Sequence, residues 1–331
     1  MNGQIEETQG PPALTVVTPS PWQGGWLFKA VKLIIFSVVV FFTARELIRR
    51  LMLVTWPEID FRPSFLILAA VCQALAMFLV SWAYDLLLKA STHSPGWGTV
   101  WAIMSVVRLG KYLPGKFAST VGAMWLFSRR GVPVSVAAGV TVMIQGLIIV
   151  LSLLASVPLT LWRPVYNHLP LAWLWCGLLV VTGLVCLHPR IFHRIVNFVL
   201  VKLRLPRLAD VGRIRDYGWP VTLMVAGQII TGMGLWLTIR SVSDLSGVWF
   251  PLCISAVALA GALGLLALFA PGGLGVREGI LLIILGPIIG PGRSAIVVIA
   301  ARVLLILVEL AAAGGGLTVL YVLGKRRPRL E

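Results

Sequence analysis

The chain has 331 residues, 58% of them hydrophobic and 12% charged, with 28 Lys and Arg against 12 Asp and Glu and a formal net charge of +16. Its mean hydropathy of +0.94 and an apolar share above the roughly 45–50% of soluble domains exclude a soluble globular protein. The positive balance does not indicate nucleic acid, because Lys and Arg gather at the ends of apolar runs, where they orient helices and meet anionic headgroups. Several of those runs reach the ~20 residues that cross a bilayer. The expected fold is all-α: a polytopic helical membrane protein with about eight transmembrane helices and one or two re-entrant or broken ones.

Residues 1–25, rich in Pro, Gly, Thr and Gln, read as a disordered segment. Acidic residues and no basic n-region argue against a signal peptide there. The first span is predicted over Trp26–Ile48, followed by Arg49 and Arg50. The second covers Ser64–Leu88, with Pro63 suited to a helix start and Asp85 and Lys89 spaced for an i, i+4 ion pair.

Residues 99–131 form an unusual unit. Thr99–Leu109 enters a break, L-G-K-Y-L-P-G-K at Leu109–Lys116, and Phe117–Phe127 leaves it. Each arm makes only ~16 Å of helix at 1.5 Å per residue, short of a core of ~30 Å. A re-entrant hairpin with the basic break at its tip fits best; a single broken spanning helix is the alternative.

Spans over Val134–Leu161 and Leu171–Leu187 lead to a basic connection at 188–217. It carries Arg190, Arg194, Lys202, Arg204, Arg207, Arg213 and Arg215 and is too short for a core of its own. Its segment Ile191–Leu205 suits the membrane surface, and the positive-inside rule makes it cytoplasmic. Spans at Trp219–Ile239 and Val248–Phe269 then reach a second break, A-P-G-G-L-G-V-R-E-G at Ala270–Gly279.

Beyond it, Ile280–Ile289 is apolar but short. The last span covers Ser294–Leu323, and its small residues Ala311–Gly316 allow close approach of a helix or of a second copy. For the basic connection and the tail Lys325–Arg329 to share a side, segment 276–290 must cross. This gives eight crossings plus one hairpin, with both termini cytoplasmic. Arg45, Arg49, Arg50 and Arg62, placed outside by this topology, run against it. One domain is expected over 26–323, with halves 26–187 and 218–323, followed by a basic tail at 324–331.

The two breaks carry the candidate function. Pro114 and Pro271 lie 157 residues apart (271 − 114), nearly half the chain. Paired interruptions in corresponding halves point to a transporter's substrate site. Pro removes a backbone donor and Gly weakens a helix, so each break frees backbone groups that hydrocarbon cannot satisfy. In the first, Arg108, Lys111 and Lys116 surround Gly110, Tyr112, Pro114 and Gly115. Cations beside free N–H groups suit an anion, and inside a membrane the obvious anion is a lipid phosphate. The other reading is that these cations snorkel to headgroups.

In the second break, Pro271, Gly272, Gly273 and Gly275 precede Arg277 and Glu278. On a helix the latter two point about 100° apart, so each needs its own partner: phosphate for Arg277 and an Arg, a helix cap or a proton for Glu278. A structural ion pair is the competing reading. Arg302 and Glu309, two turns apart in the last span, do not reach each other. Arg302 is a candidate counter-charge to Glu278 and Glu309 a candidate proton carrier. Gln73, Gln145 and Gln228 either line a cavity or bridge helices.

Enzyme chemistry finds little support. Cys72, Cys176, Cys186 and Cys253 sit in apolar segments without C-x-x-C spacing, and read as core residues. The histidines lack carboxylate neighbours, and the sequence has no Walker A or H-E-x-x-H motif. No cofactor, metal or nucleic-acid partner is expected.

At R-L-G-K-Y-L-P-G-K (Arg108–Lys116), Arg129-Arg130-Gly131-Val132, A-P-G-G-L-G-V-R-E-G (Ala270–Gly279) and Arg302, the chain resembles the lysylphosphatidylglycerol synthase transmembrane-region family. This is the flippase-like membrane domain of the multiple peptide resistance factor proteins. The similarity extends over most of residues 27–323, with only these motifs specific.

The resemblance implies a domain that moves or handles lipids across the cytoplasmic membrane of a bacterium or archaeon. Relatives are associated with aminoacylated phosphatidylglycerol, polyprenyl-linked sugars and hopanoid-type lipids. The chain ends seven residues after Gly324, so it reads as a stand-alone member without the aminoacyl-transferase domain. The resulting expectation is a translocase, flippase or scramblase, for a phospholipid or other phosphate-bearing lipid. The rival is a non-catalytic accessory subunit holding a lipid-modifying enzyme, such as a glycosyltransferase, through the 188–217 connection. A homo-oligomer is compatible with either.

Overall fold

The structure is a computed structural model. It describes residues 41–52, 60–112, 118–160, 188–202, 215–267 and 270–325, with isolated positions at 37, 162 and within 177–185. Among these residues the regular structure is helical, and the protein is a polytopic all-α membrane protein. Six segments among the described residues are long and apolar enough to cross a bilayer: Pro63–Ala90, Val134–Leu159, Tyr217–Arg240, Gly247–Leu266, Pro271–Ile289 and Pro291–Leu323. They coincide with six of the eight expected spans. The expected spans 26–48 and 171–187 lie largely outside the described residues, as do 1–25, 203–214 and 326–331.

Helices α1 (Pro63–Ala90) and α6 (Arg215–Arg240) form a central antiparallel pair. A Cβ on Gly227 would lie 3.7 Å from the Ala76 carbonyl, and one on Gly234 would lie 3.5 Å from that of Ala69. Small residues at these positions bring the two backbones together. At one end of the pair the Arg62 N–H donates to the Ser241 carbonyl at 2.9 Å. The Arg62 guanidinium pairs with Asp60 at 2.7 Å and Asp244 at 2.6 Å. Its proximity holds the Asp244 carboxyl below the usual carboxylate range. At the other end, the expected Asp85–Lys89 ion pair spans 2.6 Å.

The 99–131 unit is two helices, α2 (Trp97–Val107) and α3 (Ala118–Ser128), of 11 residues each. A 3-10 turn at Arg108–Tyr112 opens the break between them. The two helices pack on each other, with Val107 against Gly122. Helix α3 also lies on α4 (Val134–Ala155), where Gln145 donates to the Thr120 hydroxyl at 3.2 Å. Tyr84 stacks on Phe127 with centroids 5.2 Å apart and shares a 2.6 Å hydrogen bond with Thr141, fixing the unit to α1 and α4.

Helix α5 (Pro189–Lys202) buries Phe192, Val196 and Leu200, which recur every four residues on one face. It leaves Ile191, Ile195 and Phe198 exposed.

In the second half, α7 (Phe250–Leu266) ends at the glycine-rich break and α8 (Val276–Ile289) leaves it. Gly290, at φ +84°, then turns the chain into α9 (Pro291–Lys325). A buried apolar cluster joins Ile239, Leu252, Ala256, Leu282, Leu285 and Val298 across α6–α9.

Helix α2 runs antiparallel to α9. Trp101 meets Gly315, and a Cβ on Gly316 would come within 2.7 Å of the Ala102 carbonyl. The small residues of Ala311–Gly316, open in sequence to a second copy, are thus used at Gly315 and Gly316 by α2 of the same chain. Arg130, just past α3, donates to the Leu320 carbonyl at 3.4 Å. Both ends of the 99–131 unit therefore lie beside the C-terminal part of α9, while its break reaches Glu309 near the middle.

Candidate functional site

The first break presents its polar groups in a short 3-10 turn. Gly110 lies within it, and Lys111 and Tyr112 both reach Glu309 of α9. The Lys111 ammonium pairs with one carboxylate oxygen, and the Tyr112 hydroxyl donates to the other at 2.9 Å. Glu309 is 2% exposed, and a carboxylate so buried needs such partners. Arg108 donates through Nη2 to the Met77 carbonyl of α1 at 3.2 Å. Its Nε is buried without a partner among the described residues. Pro114, Gly115 and Lys116 lie outside the described residues.

The second break is a 3-10 turn at Pro271–Gly273 with Gly272 at φ +59°, Gly273 at +70° and Gly275 at +82°. Non-glycine residues adopt this left-handed region at a cost. Here the expectation of free backbone donors is corrected. The Gly273 N–H donates to the Ala270 carbonyl and the Leu274 N–H to that of Pro271, both at 3.1 Å. Gly275 N–H donates to Glu278 Oε2 at 2.7 Å. The tight turn and the acidic residue at the third position of α8 consume these donors. The guanidinium groups of Arg277 and Arg302 remain as side-chain donors for an anion beside this turn.

Glu278 also faces Arg302 of α9, Oε1 to Nη1, at 3.2 Å. The two residues each lie 12 positions from Gly290 (290 − 278 and 302 − 290), so the α8–α9 turn brings them level. Arg302 also donates to the Gly272 carbonyl at 3.5 Å, and its Nε and Nη2 are buried without partners among the described residues. Arg277 has no hydrogen bond or ion pair among the described residues. It lines a cleft with Gln73, Thr231, Glu278 and Arg302.

The two breaks meet. A Cβ on Gly272 would lie 3.3 Å from the Tyr112 ring, and the Arg302 guanidinium lies 5.5 Å from that ring's centre. Residues 29–313, which include both breaks and Arg302 and Glu309 of α9, match the family described as lysylphosphatidylglycerol synthase TM region. The chain belongs to this family. No curated protein matches it.

In this member of the lysylphosphatidylglycerol synthase TM family, the cluster holds four cations, Arg108, Lys111, Arg277 and Arg302, against two carboxylates, Glu278 and Glu309. The difference among the described residues is +2 (4 − 2). Charges within a membrane protein normally pair with one another or line a path, so this imbalance is the main electrostatic feature of the site.

Sequence reasoning singled out Gln73 and Gln228 without choosing their role, and missed others. Gln73 and Thr231 line both the Arg277 cleft and an adjoining one that contains Arg108 and Gln228. Gln228 also donates to the Ser152 hydroxyl. Thr43 donates to the Gly275 carbonyl at 3.1 Å, and Arg50 donates to the Leu282 carbonyl at 2.9 Å while pairing with Glu46 at 2.7 Å. Arg50, read in sequence as a charge flanking the first span, thus supports α8. Nothing in its local spacing signals this, because its partner is a backbone carbonyl 232 residues away.

Proposed function

We propose that this chain is a lipid translocase of the cytoplasmic membrane that moves a phospholipid or other phosphate-bearing lipid without chemical turnover. The observation that carries the reading is Arg277: a cation without a hydrogen-bonded or ionic partner among the described residues, in a cleft where Arg302 also keeps two buried donors free. Guanidinium is suited to phosphate because its planar fork offers several parallel donors. Arg277 and the unused side of Arg302 hold the phosphate, and Glu278 fixes Arg302 in place. Lys111 and Tyr112 hold Glu309 at the junction of the two breaks.

The arrangement of the breaks supports movement across the membrane. The 99–128 unit approaches the site along the C-terminal half of α9. Helices α7 and α8 approach it from the end where α6 finishes and α9 begins. Arg302 lies about 16 Å from the start of α9 at 1.5 Å per residue, near half the ~30 Å hydrocarbon thickness. Two hairpins entering from opposite sides and meeting at mid-depth give one site with a cover on each face, as alternating access requires. In this reading 276–290 does not cross. Helices α6 and α9 alone then supply the even number of crossings between the basic connection and the tail, both cytoplasmic.

The test is movement of headgroup-labelled phosphatidylglycerol in proteoliposomes, with a neutral lipid as control, comparing wild type with Arg277→Gln and Lys111→Ala. Arg277→Gln is expected to lower the rate at least about tenfold, the effect of one charge-assisted hydrogen bond, at unchanged folded yield. Equal losses of rate and yield would assign Arg277 a structural role. No lipid movement by wild type, with a glycosyltransferase or similar enzyme co-purifying, would favour the accessory-subunit reading.

A further inference from the structure

The charge imbalance is informative about the ligand itself. Four cations face two carboxylates among the described residues, and the uncompensated cationic groups fall in two adjoining clefts. Arg277 and the free donors of Arg302 line one, and Arg108, whose Nε is buried without a partner, lines the other. Gln73 and Thr231 line both, which puts amide and hydroxyl groups between the two cationic ends. A phosphodiester carries one negative charge and one anionic centre, so it leaves one end of this pair of clefts uncompensated. A headgroup ammonium placed there would add a fifth cation.

We propose that the ligand is a lipid whose headgroup carries at least two negative charges on two anionic centres, a lipid diphosphate, in preference to a singly charged phosphodiester or a headgroup with a cation. One phosphate takes Arg277 and the unpartnered donors of Arg302, and the other takes Arg108. The bridging oxygen and any hydroxyl near it meet Gln73 and Thr231. This inference rests on the translocase reading and narrows its substrate. It also separates the chain from any relative that carries an aminoacylated, cationic headgroup, because the local field here repels one.

Binding to the purified full chain, followed by displacement of a fluorescent short-chain lipid diphosphate, tests the idea. The competitors are a polyprenyl diphosphate, phosphatidylglycerol, phosphatidylcholine and inorganic diphosphate. Proteoliposome transport is run in parallel. Wild type is expected to bind the polyprenyl diphosphate at least about tenfold more tightly than phosphatidylglycerol, the worth of one further charged hydrogen bond. Phosphatidylcholine should compete least, and inorganic diphosphate should bind more weakly than its lipid form.

Arg108→Gln should weaken binding of the polyprenyl diphosphate at least about tenfold more than binding of phosphatidylglycerol. If that variant fails to fold, the wild-type series decides alone. Equal affinity for diphosphate and phosphodiester overturns the inference while leaving translocation intact. Inorganic diphosphate binding as tightly as the lipid would replace the lipid with a free anion. Wild type neither binding nor moving any lipid overturns the translocase reading itself.

Discussion

Lys111, Tyr112 and Glu309 show how a buried carboxylate is kept in a membrane domain. Both oxygens of Glu309 have donors from the first break, so removing either charge leaves the other uncompensated. Breaking such a buried pair from one side costs about 3 kcal/mol or more. Lys111→Met and Glu309→Gln are each expected to lower stability by about that amount, and the double variant by clearly less than the sum. Thermal unfolding in detergent checks this; simple additivity would show that the two charges do not interact. Tyr112→Phe loses only one hydrogen bond and should cost about 1–2 kcal/mol. Arg277 differs in kind, since it has no such partner to lose among the described residues.

Helices in this fold are positioned by close approaches at glycine as much as by apolar faces. Gly273 is the sharpest case. It sits at φ +70°, and a Cβ there would lie 3.1 Å from the Cα of Gly264 and 3.2 Å from its carbonyl oxygen. Gly273→Ala combines a left-handed backbone penalty of about 1–2 kcal/mol with backbone crowding that α7 cannot relieve by a rotamer change. It should lower the midpoint of thermal unfolding by several degrees and open the contact between the end of α7 and the break. Gly286→Ala meets only the tip of the Arg50 side chain at 2.7 Å, which can swing aside, so its effect should be smaller. A larger loss for Gly286→Ala than for Gly273→Ala would contradict this ordering.

For the whole molecule, the α6–α9 arrangement fixes which features share a side. Arg62 and Asp244 bridge the start of α1 and the end of α6. Arg130 reaches Leu320 near the end of α9, beside the basic tail. Single cysteines at Arg130 and at Lys325, in a chain with its own cysteines replaced, should label from the same side of intact vesicles with a membrane-impermeant maleimide. A cysteine at Asp244 should label from the opposite side. Labelling of all three from one side would refute both the antiparallel arrangement across the bilayer and the opposed hairpins built on it.

The sequence by itself determined the class of the protein and the position of its special segments. Apolar run length marks the segments able to cross a membrane, because a bilayer imposes a fixed thickness on any helix that spans it. Gly and Pro report helix breaks just as directly, since their effect on the backbone is local. Hence both breaks, the amphipathic α5 and the Asp85–Lys89 pair are legible in residue order and spacing alone.

Partnership is legible only in part. Arg302 as counter-charge to Glu278 and a capping role for Glu278 are among the expectations from sequence. That Glu309 belongs to Lys111 and that Arg277 has no partner among the described residues both depend on how the chain is arranged in space. Only packing sets the distances between remote segments: the Gly290 turn levels α8 with α9, and Gly315 and Gly316 admit α2 beside α9. The tertiary structure thus decided which charges are spent on the fold and which remain for a ligand, because electrostatic pairing depends on distance in space and carries no trace in local sequence spacing.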